Sequence, residues 1–121
     1  MDFLDDMRTA LDLLEAEMRG VGWWQQVSPA PEALASVEPF CVDCLTFSEW
    51  LQWVYIPKMH AYMNQHGRLP AASGLVPIAE EAWKGSAEDT RRLHEIVALL
   101  DALVAGDRDA LPVFLKGMVR H

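Results

Sequence analysis

Residues 47–59, with the sequence FSEWLQWVYIPKM, decide the fold. Between Trp50 and Ile56 the single strongly polar side chain is Gln52. A helix that is apolar nearly all round is normally surrounded by other helices. Thr46 and Glu49 have the spacing of a capping box, in which each side chain accepts a hydrogen bond from the other residue's backbone N–H. We therefore predict that a helix begins beside Thr46 and lies in the middle of the fold.

Pro57 lies about ten residues into this predicted helix. A proline has no N–H to donate, so the carbonyl of Trp53 loses its partner, and the proline ring crowds that carbonyl. The sequence therefore predicts a kink at Pro57 and a freed carbonyl that needs another donor. Gly67 predicts that the helix ends at about Gln65.

Two further helices are predicted from apolar residues that recur at steps of three and four. In the first helix the apolar residues extend from Leu4 to Met18, and Gly20 marks its end. The second helix starts at Ser86 and ends near Gly106. Residues 21–30 are expected to form a connector whose two indoles fold back onto the helices. We expect short helices at 32–37 and 77–83, and a short helix or docking tail at 107–121. Because no strand pattern is present, we predict an all-α fold, a helical bundle of about four main helices with short connecting helices.

The length of 121 residues predicts a single domain, 1–121. A net charge of −8 and ten Lys and Arg residues disfavour direct binding of nucleic acid, whose phosphates require clustered cations. The acidic start, with Asp2, Asp5 and Asp6, does not resemble a secretory signal, and no apolar run has the length of a membrane span. We expect a cytoplasmic protein that does not act at a membrane.

The order and spacing of several motifs resemble the YqcC-like family of bacterial proteins. These motifs are PFCVD at 39–43, EWLQWVYIPKM at 49–59, LP at 69–70 and PIAEE at 77–81. The resemblance covers about residues 5–104 and leaves the tail outside it. It implies a small helical bundle of uncharacterised function, often encoded beside tRNA pseudouridine synthase C. It supplies no catalytic residues.

Cys41 and Cys44 have the spacing of half a zinc site or of a redox pair. A structural zinc ion needs two more ligands, for which His60 or His66 would be distant candidates. The family pattern usually has threonine at the position of Cys44, and two small apolar side chains in a connector explain the pair as well. We expect no metal and no cofactor.

Glu80 and Glu81 are adjacent carboxylates, a pair that can serve acid and base roles when their environments separate their pKa values. The side chains of adjacent residues on a helix point about 100° apart, so the two carboxylates need not share a site. Two glutamates on a solvated helix face would show the same sequence pattern. We expect Asp101 to lie beside an apolar stripe and to face water. No residue is predicted to be catalytic.

The best candidate for a recognition surface is a set of aromatic residues, because Trp and Tyr are enriched at interfaces; burial in the core is the alternative. The set comprises Trp23, Trp24, Trp50, Trp53, Tyr55 and Tyr62. The leading hypothesis is a non-enzymatic binding or accessory module, with tRNA pseudouridine synthase C as the first candidate partner. The alternative is a small enzyme or ligand-binding bundle that uses Asp43, Glu80, Glu81 or His60 around a pocket at Trp50 and Trp53. Homodimer formation is a third possibility. The candidate surface consists of Trp50, Trp53, Pro57, Lys58, Glu80 and Glu81.

Overall fold

A computed structural model describes residues 3–27, 46–70 and 74–119. The described residues form helices and turns and contain no β-strand, so the all-α prediction is confirmed. The short helix predicted at 32–37 lies outside the described residues, as do Cys41, Asp43 and Cys44. The helices, in chain order, are α1 (Phe3–Gly20), α2 (Phe47–Trp50), a π-helical segment (Leu51–Tyr55), α3 (Ile56–His66), α4 (Leu75–Ala82), α5 (Arg91–Val104) and α6 (Ala110–Val119).

The core forms mainly where α1 packs on α5 and α5 packs on α4. The stripe predicted on α1 is buried, as is the stripe on α5 up to Leu103. Burying such side chains contributes roughly 1.5–3 kcal/mol each. None of the helices among the described residues has both the length and the apolar character needed to cross a membrane.

Trp83, at the end of α4, joins several elements of the core. Its ring is buried and lies 5.8 Å from Trp23, 5.3 Å from Phe47 and 5.2 Å from His94, measured between ring centroids. Trp24 is half-buried, and the guanidinium of Arg19 lies 5.0 Å from its ring. The prediction that the two indoles of the connector fold back onto the helices is therefore confirmed.

The central helix runs without a break from α2 through the π-helical segment into α3. The N–H of Ile56 donates to the carbonyl of Leu51, five residues back, instead of to the usual fourth residue. Pro57 directly follows this wider turn, so the carbonyl of Trp53, which the proline ring would crowd in a regular α-helix, lies in π-helical backbone. The sequence predicted a kink at this proline, and the structure shows a π-helical segment immediately before it. Gly67 ends α3 in a left-handed conformation.

The helix predicted to start at Ser86 begins instead at Arg91. The Ser86 hydroxyl donates to the Glu88 carboxylate, and the Asp89 carboxylate accepts hydrogen bonds from the backbone and side chain of Arg91. These short-range side-chain bonds stabilise a turn that competes with the helix. The prediction placed the start of the helix too early.

Asp101 does not simply face water, and that expectation was wrong. It is half-buried on α5, and its carboxylate accepts hydrogen bonds from the N–H groups of Leu75 and Val76 at 3.0 and 2.9 Å. Gly74, at the N-cap of α4, has no side chain to cap the helix, and Pro77 has no N–H to satisfy. Asp101 therefore caps α4 from a different helix.

Candidate functional site

The start of the central helix is fixed by the predicted capping box. Thr46 Oγ1 accepts a hydrogen bond from the N–H of Glu49 at 3.2 Å, and Glu49 Oε1 accepts one from the N–H of Thr46 at 2.9 Å. Glu49 Oε2 also accepts a bond from Gln25 Nε2 at 2.9 Å. The Thr46 N–H and, next, the Gln25 amide hold the pKa of Glu49 below its ordinary value. Glu49 thus links the cap to the connector.

Gln52 holds the same connector against the central helix. Its side-chain amide pairs with the backbone of Gln25 in both directions: Oε1 accepts from the Gln25 N–H, and Nε2 donates to the Gln25 carbonyl, each at 2.8 Å. Trp53 Nε1 donates to Gln25 Oε1, also at 2.8 Å. Gln52 is 5% exposed, so these bonds satisfy groups that water does not reach. Trp53 therefore has a structural partner.

A second side of the central helix forms a concave surface with the loop after α3. We call it the aromatic groove, and it has a volume of about 180 Å³. The rings of Trp50 and Tyr55 lie 5.5 Å apart, and Tyr62 packs on the His66 ring at 4.3 Å. The groove is lined by Trp50, Tyr55, Lys58, Met59, Tyr62 and Pro70.

The π-helical segment explains how Trp50 and Tyr55 meet. Side chains five positions apart on a regular α-helix point about 140° apart and do not share a face. Five-residue hydrogen bonding widens the helix at this segment and brings the two rings into contact. The aromatic groove therefore depends on the irregular turn that also accommodates the proline.

The other residues of the predicted surface lie elsewhere. Pro57 is exposed on α3, and Glu80 and Glu81 are exposed on α4; none of the three lines the aromatic groove. His60 is half-buried on α3 and does not line it either. Of the six residues in the predicted set, the structure brings Trp50 and Lys58 together in the groove.

A second concave surface, of about 420 Å³, is lined by charged residues from α1 and the start of α5. Arg91 donates to Asp89 through two of its nitrogens, and Arg92 pairs with Glu95 at 3.4 Å. The Arg91 side chain and, next, its backbone N–H lower the pKa of Asp89 to about 2. These charges are paired with one another, so the surface presents no unpaired cationic site.

Comparison with known proteins assigns the chain to a family. A family model described as DUF446, tRNA pseudouridine synthase C, matches residues 6–103. The chain is 35% identical to the uncharacterized protein YqcC of Escherichia coli K12 over 103 residues, which are 85% of this chain and 94% of that protein. The chain belongs to the YqcC-like family. The resemblance stated from the sequence motifs is thereby confirmed.

Other relatives of this YqcC-like chain agree with the assignment. The solution NMR structure of protein YqcC from E. coli matches it with a TM-score of 0.76 and 36% identity, over 88% of this chain and 92% of that one. An uncharacterized protein of Haemophilus influenzae is 40% identical over 89 residues, 74% of this chain and 84% of that protein. A Pectobacterium carotovorum protein named tRNA pseudouridine synthase C is 38% identical over 88 residues. The match covers 73% of this chain and 23% of that protein.

The motif that identifies this YqcC-like chain has two structural roles. Glu49, Gln52 and Trp53 hold the connector at Gln25. Trp50, Tyr55, Lys58 and Met59 line the aromatic groove. The sequence analysis included Tyr62 in the aromatic set but did not place Met59 or Pro70 in a candidate site. The α-helical spacing of Tyr55, Met59 and Tyr62 was the signal that would have grouped three of the lining residues.

Proposed function

We propose that this chain is a non-enzymatic accessory module of the cytoplasm that binds a protein partner, with tRNA pseudouridine synthase C as the first candidate. The main support is the match to the Pectobacterium protein of that name. Its 88 matched residues are 23% of its length, so that protein has about 380 residues, and three quarters of it lie outside the match. A region similar to this chain is thus part of a larger polypeptide with the synthase name.

Covalent linkage gives two protein regions a high effective concentration for one another. Separate chains that correspond to such linked regions are reasonable candidates for a complex, because the same contact can form between them in trans. A partner that acts on tRNA would place the module in the cytoplasm. The aromatic groove supplies a concave apolar surface for the contact.

The positions of four carboxylates support a binding role over the alternative of a small enzyme. Glu49 and Asp101 are both held by backbone N–H groups at helix starts. Glu80 and Glu81 are exposed on a different helix from the groove. The lining of the groove brings aromatic rings together with one lysine, an arrangement suited to recognition.

Calorimetric titration of the full-length chain into purified tRNA pseudouridine synthase C from the same organism tests the proposal. We expect saturable binding with a simple stoichiometry and co-elution of the two proteins in gel filtration. A tRNA pseudouridine synthase of another class serves as the control and should not bind. Failure to bind the C-type synthase at concentrations well above micromolar would eliminate this partner.

A further inference from the structure

We propose that the aromatic groove binds a short acidic segment of the partner protein, with an apolar side chain packed against the exposed faces of its rings and a carboxylate on Lys58. The segment would carry a Leu, Met or aromatic residue flanked by Asp or Glu. This inference rests on the proposed binding function and specifies the surface and the chemistry of the contact.

The size of the groove favours a side chain as its occupant. Small-molecule sites usually have volumes of roughly 300–1,000 Å³. The aromatic groove, at about 180 Å³, is smaller and is walled by Trp50, Tyr55 and Tyr62. Pockets that receive one or two anchoring side chains of a protein partner are typically lined by such aromatic residues.

The charge around the groove favours an acidic occupant. From Trp50 to Ala79 the sequence contains no Asp or Glu, although the whole chain has 18 such residues. The same stretch contains Lys58 and Arg68. Lys58 lines the groove, and both cations are exposed. The chain segment that supplies every lining residue of the groove therefore carries two cations and no carboxylate, in an otherwise acidic protein.

Lys58 supplies the cation of the proposed contact. It belongs to none of the ion pairs found among the described residues, whereas Arg8, Arg19, Arg91 and Arg92 each pair with a nearby carboxylate. A carboxylate placed beside an apolar anchor would meet this ammonium group at the rim of the groove. Complementary charges at a rim act mainly on specificity and on the rate of association.

A peptide segment fits these observations better than a nucleic acid does. Binding along a phosphate backbone requires several clustered cations, and each neutralised phosphate adds to the salt dependence. The stretch around the groove carries two cations on a chain of net charge −8. Repulsion from the remaining acidic surface would oppose a polyanion more than a short acidic segment.

The first test compares two charge reversals in the full-length chain. Lys58→Glu changes the groove, and Lys84→Glu makes the same change of charge at an exposed lysine beyond the end of α4. We expect Lys58→Glu to weaken binding to the synthase by roughly tenfold and Lys84→Glu by less than twofold. Tyr62→Ala should weaken binding by more than tenfold. Because Lys58 is exposed, its variant should keep the wild-type melting curve even if Tyr62→Ala loses stability.

The second test does not require the synthase. Short synthetic peptides with one central Leu flanked by Asp and Glu are titrated into isotope-labelled chain, beside analogues in which the acids are replaced by Lys or by Ser. We expect the acidic peptide alone to shift the Trp50 indole N–H and the Lys58 amide resonances, and Lys58→Glu to abolish the shifts. Acidic peptides that shift neither resonance, or Lys and Ser peptides that shift them equally, would overturn the inference.

The two tests separate the failure of the inference from that of the proposed function. If the synthase binds the wild type, and the Lys58→Glu variant binds it no more weakly than the Lys84→Glu variant does, the accessory function stands but the groove is not the surface that contacts the synthase. If the synthase does not bind but the acidic peptide does, the groove is right and the partner is a different protein. An unmodified tRNA transcript is titrated in parallel, and shifts at the groove with tRNA but not with peptide would contradict the inference.

Discussion

Removing the carboxylate of Asp101 should destabilise the fold at a distant helix. Asp101→Ala deletes both acceptors for the N–H groups of Leu75 and Val76, which lie 26 and 25 positions away in the sequence. Hydrogen bonds to charged groups contribute roughly 1.5–3 kcal/mol each when buried, and loss of an N-cap costs about 0.5–2 kcal/mol.

Asp101 is half-buried, so the lower ends of these ranges apply. Alanine also has a higher helix propensity than aspartate, which offsets about 0.5 kcal/mol of this loss of stability within α5. We therefore expect Asp101→Ala to lower the free energy of unfolding by about 2 kcal/mol. For a chain of this length that unfolds in one step, that change corresponds to a decrease in the melting temperature of roughly 6–10 °C.

Chemical denaturation followed by circular dichroism measures this change. Asp101→Asn keeps one acceptor oxygen and places an amide donor against the other N–H. This variant should therefore lower the free energy of unfolding by about 1 kcal/mol or more. Asp12→Ala, at an exposed position on α1, should change the free energy of unfolding by less than about 0.5 kcal/mol. Amide hydrogen exchange should accelerate at Leu75 and Val76 in the Asp101→Ala variant. Equal stability of Asp101→Ala and Asp12→Ala would refute the capping role.

Three other predictions concern the connector, the capping box and the final helix. Gln52→Leu removes the hydrogen-bond partners of the Gln25 N–H and carbonyl. It should lower the free energy of unfolding, measured by urea titration, by about 2–3 kcal/mol. A decrease of less than about 0.5 kcal/mol would be inconsistent with the paired amide. The pKa of Glu49 is lowered in the folded state. The ionised carboxylate therefore adds to the free energy of unfolding above the ordinary pKa of Glu, and this stabilisation is lost as the pH falls through the folded-state pKa. The stability difference between wild type and Glu49→Gln should therefore shrink on acidification, and a pH-independent difference would argue against it. Val113 and Leu115 are exposed on α6, so any homodimer that buries them should weaken in sedimentation velocity when both become Ser; an unchanged dimer would place its interface elsewhere.

The main helices could be predicted from the sequence because their signals are local. Apolar residues at steps of three and four define the buried stripe of α1, and Gly67 and the capping box mark the ends of the central helix. Each of these signals operates within a few residues, where chain connectivity already places the groups near one another. The four motifs at 39–43, 49–59, 69–70 and 77–81 likewise sufficed to recognise the family.

The start of α5 was misjudged because two local signals competed. Ser86, Glu88 and Asp89 are residues that favour a helix start, and the same side chains bond to nearby groups in a turn. The sequence contains both options. Their relative free energies depend on how α5 packs on α1 and α4.

The sequence by itself determined the helical class, the family and the chemistry of the central motif. Tertiary structure decided which face of the central helix each aromatic residue occupies: Trp53 turns to Gln25, while Trp50 meets Tyr55 across the π-helical segment. It also decided that Asp101 caps a helix from which it is separated by about 25 residues. Hydrogen bonds and ring contacts between distant residues depend on the three-dimensional arrangement of whole helices, and no short-range spacing in the sequence encodes that arrangement.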